Sequence, residues 1–320
     1  MIEKDMIIRV AWMYYCEDKT QNEISTVLKI SRQKVQRLLA KAKEEDLVQI
    51  RIVNPIYNLL SLEKRLKKAF AIQDVVVVPS AQEGEELRKS LSRAAANYLS
   101  PLLEKTSVLG LGNGATLSHL PNYIDSSITL RSDFKVVSLL GNLLKNFSSN
   151  PSSIGMRFSD RLGVPYYGLW VPYKLDTVDA VETVMKQEAV SEVLEMMKTV
   201  EISVVGIGAT KNRNLNSGIV NEEEMKTLQS LGAVGDILGR WFNIDGEPVF
   251  EELNRRVIGA DVKTPGKTIG VAGGIEKREA ILGALKGKLI DVLVIDEKTA
   301  EVVLGNIVQP ASNCKKGVRE

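Results

Sequence analysis

The chain has 320 residues, 44% of them hydrophobic, with 42 Lys and Arg against 40 Asp and Glu for a net charge of +2. That composition excludes a disordered chain and a broadly polyanion-coating surface, and the length suggests two domains, one small and one of ordinary globular size. No apolar run approaches the ~20 residues of a membrane-spanning helix. The start Met1-Ile-Glu-Lys-Asp5 lacks a signal-peptide pattern, so a cytoplasmic protein with no membrane partner is expected. Cys16 and Cys314 are the only cysteines and lie at opposite ends, which argues against a disulfide framework or a thiolate metal site; neither metal nor cofactor is expected.

From the N-terminus, Ile8, Ala11, Trp12 and Tyr15 form an apolar stripe that predicts a helix from about Asp5 to Cys16. Thr20 and Glu23 match a capping box, and the helix they open should turn Ile24, Val27 and Leu28 inward. After a break at Lys29-Ile30, Ser31 is placed to cap a third helix. From Lys29 to Lys43 the chain carries six basic residues and no acidic one. Val35, Leu38, Leu39 and Ala42 give this segment one apolar face. The rest is Arg, Lys and Gln, side chains able to reach phosphates and base edges.

Two short helices joined by a tight turn, the second exposing such residues, are the helix-turn-helix geometry; an ordinary solvated basic helix is the plainer alternative. Leu47–Val53 alternates at period two and reads as a strand, a wing beside the DNA. Arg32, Gln33, Gln36 and Arg37 are best placed to read bases. Ser31 belongs to the same surface, and Lys34, Lys41 and Arg51 are candidates for phosphate contacts. Residues 1–55 hold ten Lys or Arg against eight Asp or Glu, so affinity for double-stranded DNA must come from a local patch repeated by oligomerisation.

Asn54-Pro55 ends the wing. Leu59, Leu62, Leu66 and Ala69 then line one face of a helix that either docks on the next domain or pairs subunits. The expected organisation is a DNA-binding domain at 1–54, a linker helix at 55–72 and a second domain at 73–320. Beyond Asp74 the pattern alternates. Strands are predicted at Asp74–Val78, Thr106–Leu111, Lys135–Leu140, Glu201–Ile207, Thr268–Ala272 and Asp291–Ile295. Helices are predicted at Glu85–Leu103, Val178–Thr199 and Glu276–Leu285. Such alternation predicts an α/β fold, a Rossmann-like, mostly parallel sheet covered on both faces.

Ligands of such sheets bind at the carboxyl ends of strands, and glycines cluster there. They are Gly110-Leu-Gly112-Asn113-Gly114-Ala115-Thr116, Gly141-Asn142, Gly206-Ile-Gly208 and Gly270-Val-Ala-Gly273-Gly274. Each alone also simply ends a strand; together they favour a small anionic ligand. The dinucleotide fingerprint is not kept, because Gly110-Leu-Gly112-Asn-Gly114 departs from its order and no acidic residue follows the strand ending at Leu140. The P-loop pattern is absent too. A sugar phosphate fits better, with Asn113 or Asp236 on hydroxyls and Lys277 on the phosphate; the plainer readings are capping for Asp236 and solvation for Lys277. His119, the single histidine, reads as structural, and no catalytic constellation stands out.

With these residues in hand, the chain resembles the SorC/DeoR-type family of bacterial sugar-sensing transcriptional regulators. The matching segments are Thr20–Ile24, Ile30–Arg32 with Val35–Leu39, Val204–Ala209, Ala233–Arg240, Asn254–Gly259, and Ile269–Gly274 with Glu276-Lys277. The resemblance implies an effector domain similar to sugar-phosphate isomerases and glucosamine-6-phosphate deaminase, used to sense rather than to convert. It also implies a homo-oligomer, dimer or tetramer, whose hold on a DNA operator responds to a sugar phosphate or related carbohydrate effector. The family's Gly-x-Thr phosphate loop is kept as Gly114-Ala115-Thr116, whereas Asn113 and Asn142 stand where an aromatic residue and a second glycine are frequent. The expected effector residues are Gly112, Asn113, Gly114, Ala115, Thr116, Gly141, Asn142, Gly208, Asp236, Gly273, Gly274 and Lys277. The alternative reading is a sugar-phosphate isomerase or deaminase carrying an added DNA-binding domain.

Overall fold

The computed structural model describes residues 3–45, 47–48, 55–143, 147–211, 220–263 and 266–308. The chain divides into two compact units, Met1–Tyr57 and Asn58–Glu320.

The first unit holds α1 (Glu3–Tyr15), α2 (Gln21–Leu28) and α3 (Arg32–Glu44). The Thr20–Glu23 capping box forms as the sequence predicts, with the Thr20 N–H donating to the Glu23 carboxylate at 2.8 Å and the Glu23 N–H donating to Thr20 Oγ1 at 3.3 Å. Ser31 caps α3 by accepting from the Lys34 N–H at 3.2 Å. Ile7, Val10, Ala11, Met13, Ile24, Val35, Leu38, Leu39 and Ala42 make the core. Two expectations about facing are corrected. Ile8 and Trp12 point to solvent, 48% and 60% exposed, and so does Val27 at 57%. α1 is apolar around most of its circumference, so spacing did not select the face; packing on α3 did. Leu47 and Val48 pack partly buried against this core. The rest of the predicted wing, Arg51 included, lies outside the described residues, as does Cys314.

The turn between α2 and α3 is made by Lys29 in the left-handed conformation, φ 51°. This costs a residue with a Cβ about 1 kcal/mol or more, which explains why glycine or asparagine would be at home there.

α4 (Pro55–Phe70) follows, and from Asn58 onward it belongs to the second unit, where Leu59, Leu62 and Leu66 are buried in the main core. Burying each leucine contributes roughly 1.5–3 kcal/mol. Ala69 of the predicted stripe is exposed. Next come β1 (Asp74–Val78), α5 (Glu85–Leu103), β2 (Val108–Leu111), α6 (Leu120–Tyr123), β3 (Lys135–Ser138), α7 (Pro151–Leu162) and β4 (Tyr166–Tyr167). The chain continues through α8 (Val178–Met185), α9 (Glu188–Met197), β5 (Ile202–Gly206), β6 (Gly208–Ala209), α10 (Glu222–Ser230), β7 (Gly235–Ile237), β8 (Arg240–Phe242) and α11 (Glu251–Arg255). It closes with β9 (Lys267–Val271), α12 (Arg278–Lys286), β10 (Val292–Asp296) and α13 (Glu297–Val308).

Among the described residues, seven strands form one parallel sheet in the order β1-β10-β9-β5-β2-β3-β4. Six of them were predicted; the seventh, β4, is a two-residue edge strand too short to carry a period. Side chains alternate between two cores. Leu109, Leu111, Ile202, Val204, Ile269, Val271, Val292 and Val294 pack with α5 and α7, whereas Val75, Val77, Val205, Leu293 and Ile295 pack with α4, α12 and α13. Burial on both faces is why these strands are continuous Val, Ile and Leu runs. The predicted helix Val178–Thr199 is two helices, because its apolar stripe slips by one residue between Val184 and Val190 and a single straight helix cannot present both halves.

β6, β7 and β8 form a separate antiparallel sheet, β6-β7-β8, which sequence reasoning did not anticipate. Just after it, Gly246 has φ +80°, and a Cβ there would lie 2.3 Å from Gly287 Cα and 2.5 Å from the Gly283 carbonyl. The close approach of two glycines lets this segment rest on α12.

Two stability outcomes follow. Lys29→Gly relieves the left-handed strain and should raise the denaturation free energy of the helical unit by about 0.5–1 kcal/mol, read by chemical denaturation followed by circular dichroism. Gly246→Ala meets backbone on two sides at positive φ and should lower the stability of the larger unit by more than about 1 kcal/mol; an unchanged midpoint would contradict the packing described.

Candidate functional site

Two surfaces carry chemistry, one in each unit. In the first, α3 buries Val35, Leu38, Leu39 and Ala42 and exposes Arg32, Gln33, Lys34, Gln36 and Arg37 together with the cap Ser31. At about 100° per residue, Gln33 and Arg37 lie farthest from the buried stripe, on the side that Ala40 and Glu44 share, and Gln36 lies nearer, on one flank. Arg32 and Lys43 sit on one shoulder, Lys34 and Lys41 on the other. Lys41 is half-buried, with Nζ 3.8 Å from Glu45 Oε1 one turn on, an ion pair worth less than about 1 kcal/mol. The helix therefore presents a polar, donor-rich ridge with a cationic margin on each side, the pattern that fits between two rows of phosphates.

In the second unit, the chain order creates a crevice. From β2 it moves outward through β3 to β4; from β5 it moves the other way through β9 and β10. Loops leaving β2 and β5 thus diverge, and their carboxyl ends mark the topological switch point. A cavity of about 250 Å³ lies there, lined by the loop Asn113–Leu117 after β2, Gly206–Gly208 after β5, and Val271, Gly273, Glu276 and Lys277 after β9. Gly84, Leu87, Arg88 and Leu91 from the start of α5, and Asp236 from β7, complete it. Its size is near the lower end of small-ligand sites, ~300–1,000 Å³.

The structure places eight of the twelve expected effector residues around this cavity: Asn113, Gly114, Ala115, Thr116, Gly208, Asp236, Gly273 and Lys277. The other four are outside its lining and have structural occupations. Gly112 donates its N–H to the Val204 carbonyl at 2.9 Å, joining β2 to β5. At Gly141 a Cβ would sit 2.6 Å from the Pro172 carbonyl oxygen. Asn142 uses its amide internally, donating to the Leu169 carbonyl at 3.1 Å and accepting from Ser152 Oγ. The Gly274 N–H donates to Asp296 Oδ1 at 2.9 Å and Thr299 Oγ1 at 3.0 Å.

Several residues around the crevice escaped sequence reasoning. Arg88 lies more than 100 residues from Lys277 in sequence and reads alone as a solvated helix residue, yet both line the cavity. Buried Ser92 holds the loop after β2 by donating to the Thr116 carbonyl. Asp296 and Thr299, themselves hydrogen-bonded at 2.6 Å, hold the loop after β9. Asp236 is 8% exposed and accepts from the Gly239 N–H at 3.2 Å, so its carboxylate is oriented by the turn between β7 and β8. Lys277 ends a 3₁₀ turn, Ile275–Lys277, rather than occupying the second position of a helix as expected. Arg88 and Lys277 against Asp236 and Glu276 make the lining charge-balanced, with cations for an anionic group and carboxylates able to accept from hydroxyls.

His119 is set aside from this lining, its Nε2 3.2 Å from Glu85 Oε1. Among the described residues no cluster of His, Cys, Asp and Glu could hold a metal ion, and no helix is long and apolar enough to cross a membrane.

Comparison with known proteins identifies the family. Residues 54–305 match the family model described as "Putative sugar-binding domain". The erythritol catabolism regulatory protein EryD of Brucella abortus is 30% identical over 309 residues, spanning 95% of this chain and 97% of its own. The transcriptional regulator LsrR of an Enterobacter species is 31% identical over 316 residues, spanning 95% and 94%. Among solved structures, the full-length sorbitol operon regulator SorC of Klebsiella pneumoniae superposes with a TM-score of 0.72 at 26% identity, covering 95% of this chain and 99% of that one. These relatives are transcriptional regulators and not enzymes, which decides against the isomerase or deaminase alternative. A helix-turn-helix unit joined to a parallel α/β unit that matches a sugar-binding family along nearly its whole length places the chain in the SorC/DeoR-type family of bacterial sugar-binding transcriptional regulators.

Proposed function

We propose that this regulator acts in the cytoplasm on a carbohydrate operon, binding operator DNA through α3 and a small phosphorylated sugar or related polyol in the crevice between β2 and β5. The observation that carries the effector reading is the convergence of Arg88, Lys277, Thr116 and Asp236 from four separate segments on one cavity. Two cations suit a phosphate, and Asp236 with Asn113 suits sugar hydroxyls. Relatives named for erythritol catabolism and the sorbitol operon support a small polyhydroxylated effector.

Arg32, Gln33, Gln36 and Arg37 read bases; Lys34 and Lys41 hold phosphates, with Ser31 fixing the start of the helix. One such helix has too little charge to hold DNA tightly at physiological salt, so the functional species is a homo-oligomer that presents two copies about 34 Å apart or a multiple of it. The effector shifts the population of that arrangement by binding it more or less tightly than the alternatives.

Operator titrations at several salt concentrations test the DNA assignment. Arg37→Ala should lose about 1–3 kcal/mol of discrimination at one base position. Lys34→Ala should weaken all sequences alike and reduce the salt slope by about one per site. Wild-type behaviour of both would remove α3 from the interface.

A thermal-shift panel of sugar phosphates, free sugars and polyols tests the crevice. A true effector at a hundred times its Kd should add about 2.7 kcal/mol of stability. Lys277→Ala should weaken a phosphorylated effector about tenfold or more, while leaving an unphosphorylated polyol little changed. A panel with no stabiliser, or a stabiliser indifferent to both Lys277→Ala and Asp236→Asn, rejects the crevice assignment without touching DNA binding.

A further inference from the structure

The two edges of the seven-stranded sheet are finished differently. At β1 the chain covers its own edge: the Val77 N–H donates to Glu63 Oε1 of α4 at 2.9 Å, and Lys67 Nζ of the same helix lies 2.9 Å from Asp74 Oδ1. At the other edge, β4 has no strand on its outer side among the described residues. Proteins generally cover, charge or shorten such an edge. β4 is short, but the segment around it carries no charge. From Leu162 to Tyr173 there is no Asp, Glu, Lys or Arg, in a chain that is 26% charged, and the segment holds three of the eight tyrosines and one of the three tryptophans.

Three of those four rings are used inside the fold. Tyr166 and Tyr167 pack, partly buried, against the cores on opposite faces of the sheet, and Tyr173 is buried. Trp170 is left outside, 65% exposed. It is nevertheless held in place. Its ring stands edge-on to Tyr166, with centroids 6.4 Å apart and planes at 81°. A Cβ at Gly168 would lie 2.7 Å from the indole, so the ring rests on bare backbone. Gly155 of α7 makes the same allowance for Tyr166, whose ring a Cβ there would overlap, and Met156 beside it is 37% exposed. A large ring fixed in advance has little entropy to lose on docking, and buried tryptophans are the residues that most often anchor protein interfaces.

The absence of charge selects the partner. A strongly charged partner, nucleic acid included, would find no opposite charge on this segment. A second copy related by a twofold axis would bring the same neutral segment against itself, with no like charges to hold the copies apart. Depletion of charge with enrichment in Tyr and Trp is also the composition of the buried centre of an interface.

We propose that the β4 edge is a subunit interface, in which Trp170 docks on a second copy of this chain. This rests on the homo-oligomer of the proposed function and gives that oligomer a contact surface in the larger unit.

The test uses the full chain, with sedimentation velocity and acrylamide quenching of tryptophan fluorescence. Trp12→Phe leaves two tryptophans, Trp170 and the buried Trp241, so that quenching reports Trp170. Trp170 should be shielded in the assembled species and become quenchable as dilution dissociates it. Trp170→Ala removes a ring that the core does not use, and should raise the dissociation constant about thirtyfold or more with an unchanged circular dichroism spectrum. An assembled chain whose Trp170 stays fully quenchable overturns the proposal and leaves the homo-oligomer standing; so does a folded Trp170→Ala chain that assembles like wild type. Should that variant not fold, the quenching measurement decides alone. A chain that sediments as a monomer throughout removes the oligomer itself and this interface with it. Shielding of Trp170 in a monomer would place the ring against another part of its own chain, and would overturn the proposal too.

Discussion

The strand Ile202–Gly206 is hydrogen-bonded to Val108–Leu111 on one side and to Lys267–Val271 on the other, all parallel. Because a parallel neighbour must be reached by a crossover, the chain leaves β2 toward one edge of the sheet and leaves β5 toward the other. Their loops part, and the gap between them is the crevice. Its walls then come from segments that are remote in sequence but adjacent in register: the loops after β2, β5 and β9, the start of α5, and Asp236 on the small antiparallel sheet. Ser92 on one helix and the Asp296–Thr299 pair at the end of β10 hold two of those loops by hydrogen bonds to their backbone. A polar cradle at the rim of a dry sheet needs such anchors, since a buried unmade bond costs roughly 1–3 kcal/mol.

The helical unit solves a different problem. It must expose charge while closing a core drawn, among the described residues, from three short helices. Caps do much of that: the Thr20 box and Ser31 satisfy N-terminal N–H groups that a helix of only 8 residues, α2, can ill leave open. The turn between α2 and α3 places Lys29 in a strained conformation that glycine would relax. With the apolar stripe of α3 turned inward, Gln33 and Arg37 are left on the outer ridge by helical geometry alone.

Much of this was legible in the sequence where a period or a cap repeats. The strand Asp74–Val78 and the helix Glu85–Leu103 lie where the pattern puts them, and so do both N-caps of the helix-turn-helix. Other elements carried signals that went unread: Asn221 with Glu224 is a second capping box, and Pro151 followed by Gly163 brackets α7. The two-residue strands β4 and β6 had no readable signal, because their pairing is decided by neighbours far along the chain. The facing of α1 was misjudged for a related reason: with apolar residues on nearly every side, only the position of α3 selects Ile7 and Val10 over Ile8 and Trp12.

The sequence by itself determined the local chemistry: a basic helix with one apolar stripe, glycines at the ends of strands, and alternating elements that must form a parallel sheet. These are set by backbone sterics, helical and strand periods, and the need to bury both faces of the sheet. Only the tertiary structure decided which glycines line the crevice. It assigned Gly112, Gly141 and Gly274 to packing and backbone hydrogen bonds, kept Gly114, Gly208 and Gly273 at the crevice, and brought Arg88 to the same cavity as Lys277. The physical reason is that a loop's role depends on which strand lies beside it. Strand order is fixed by long-range pairing and packing, and no local period records it.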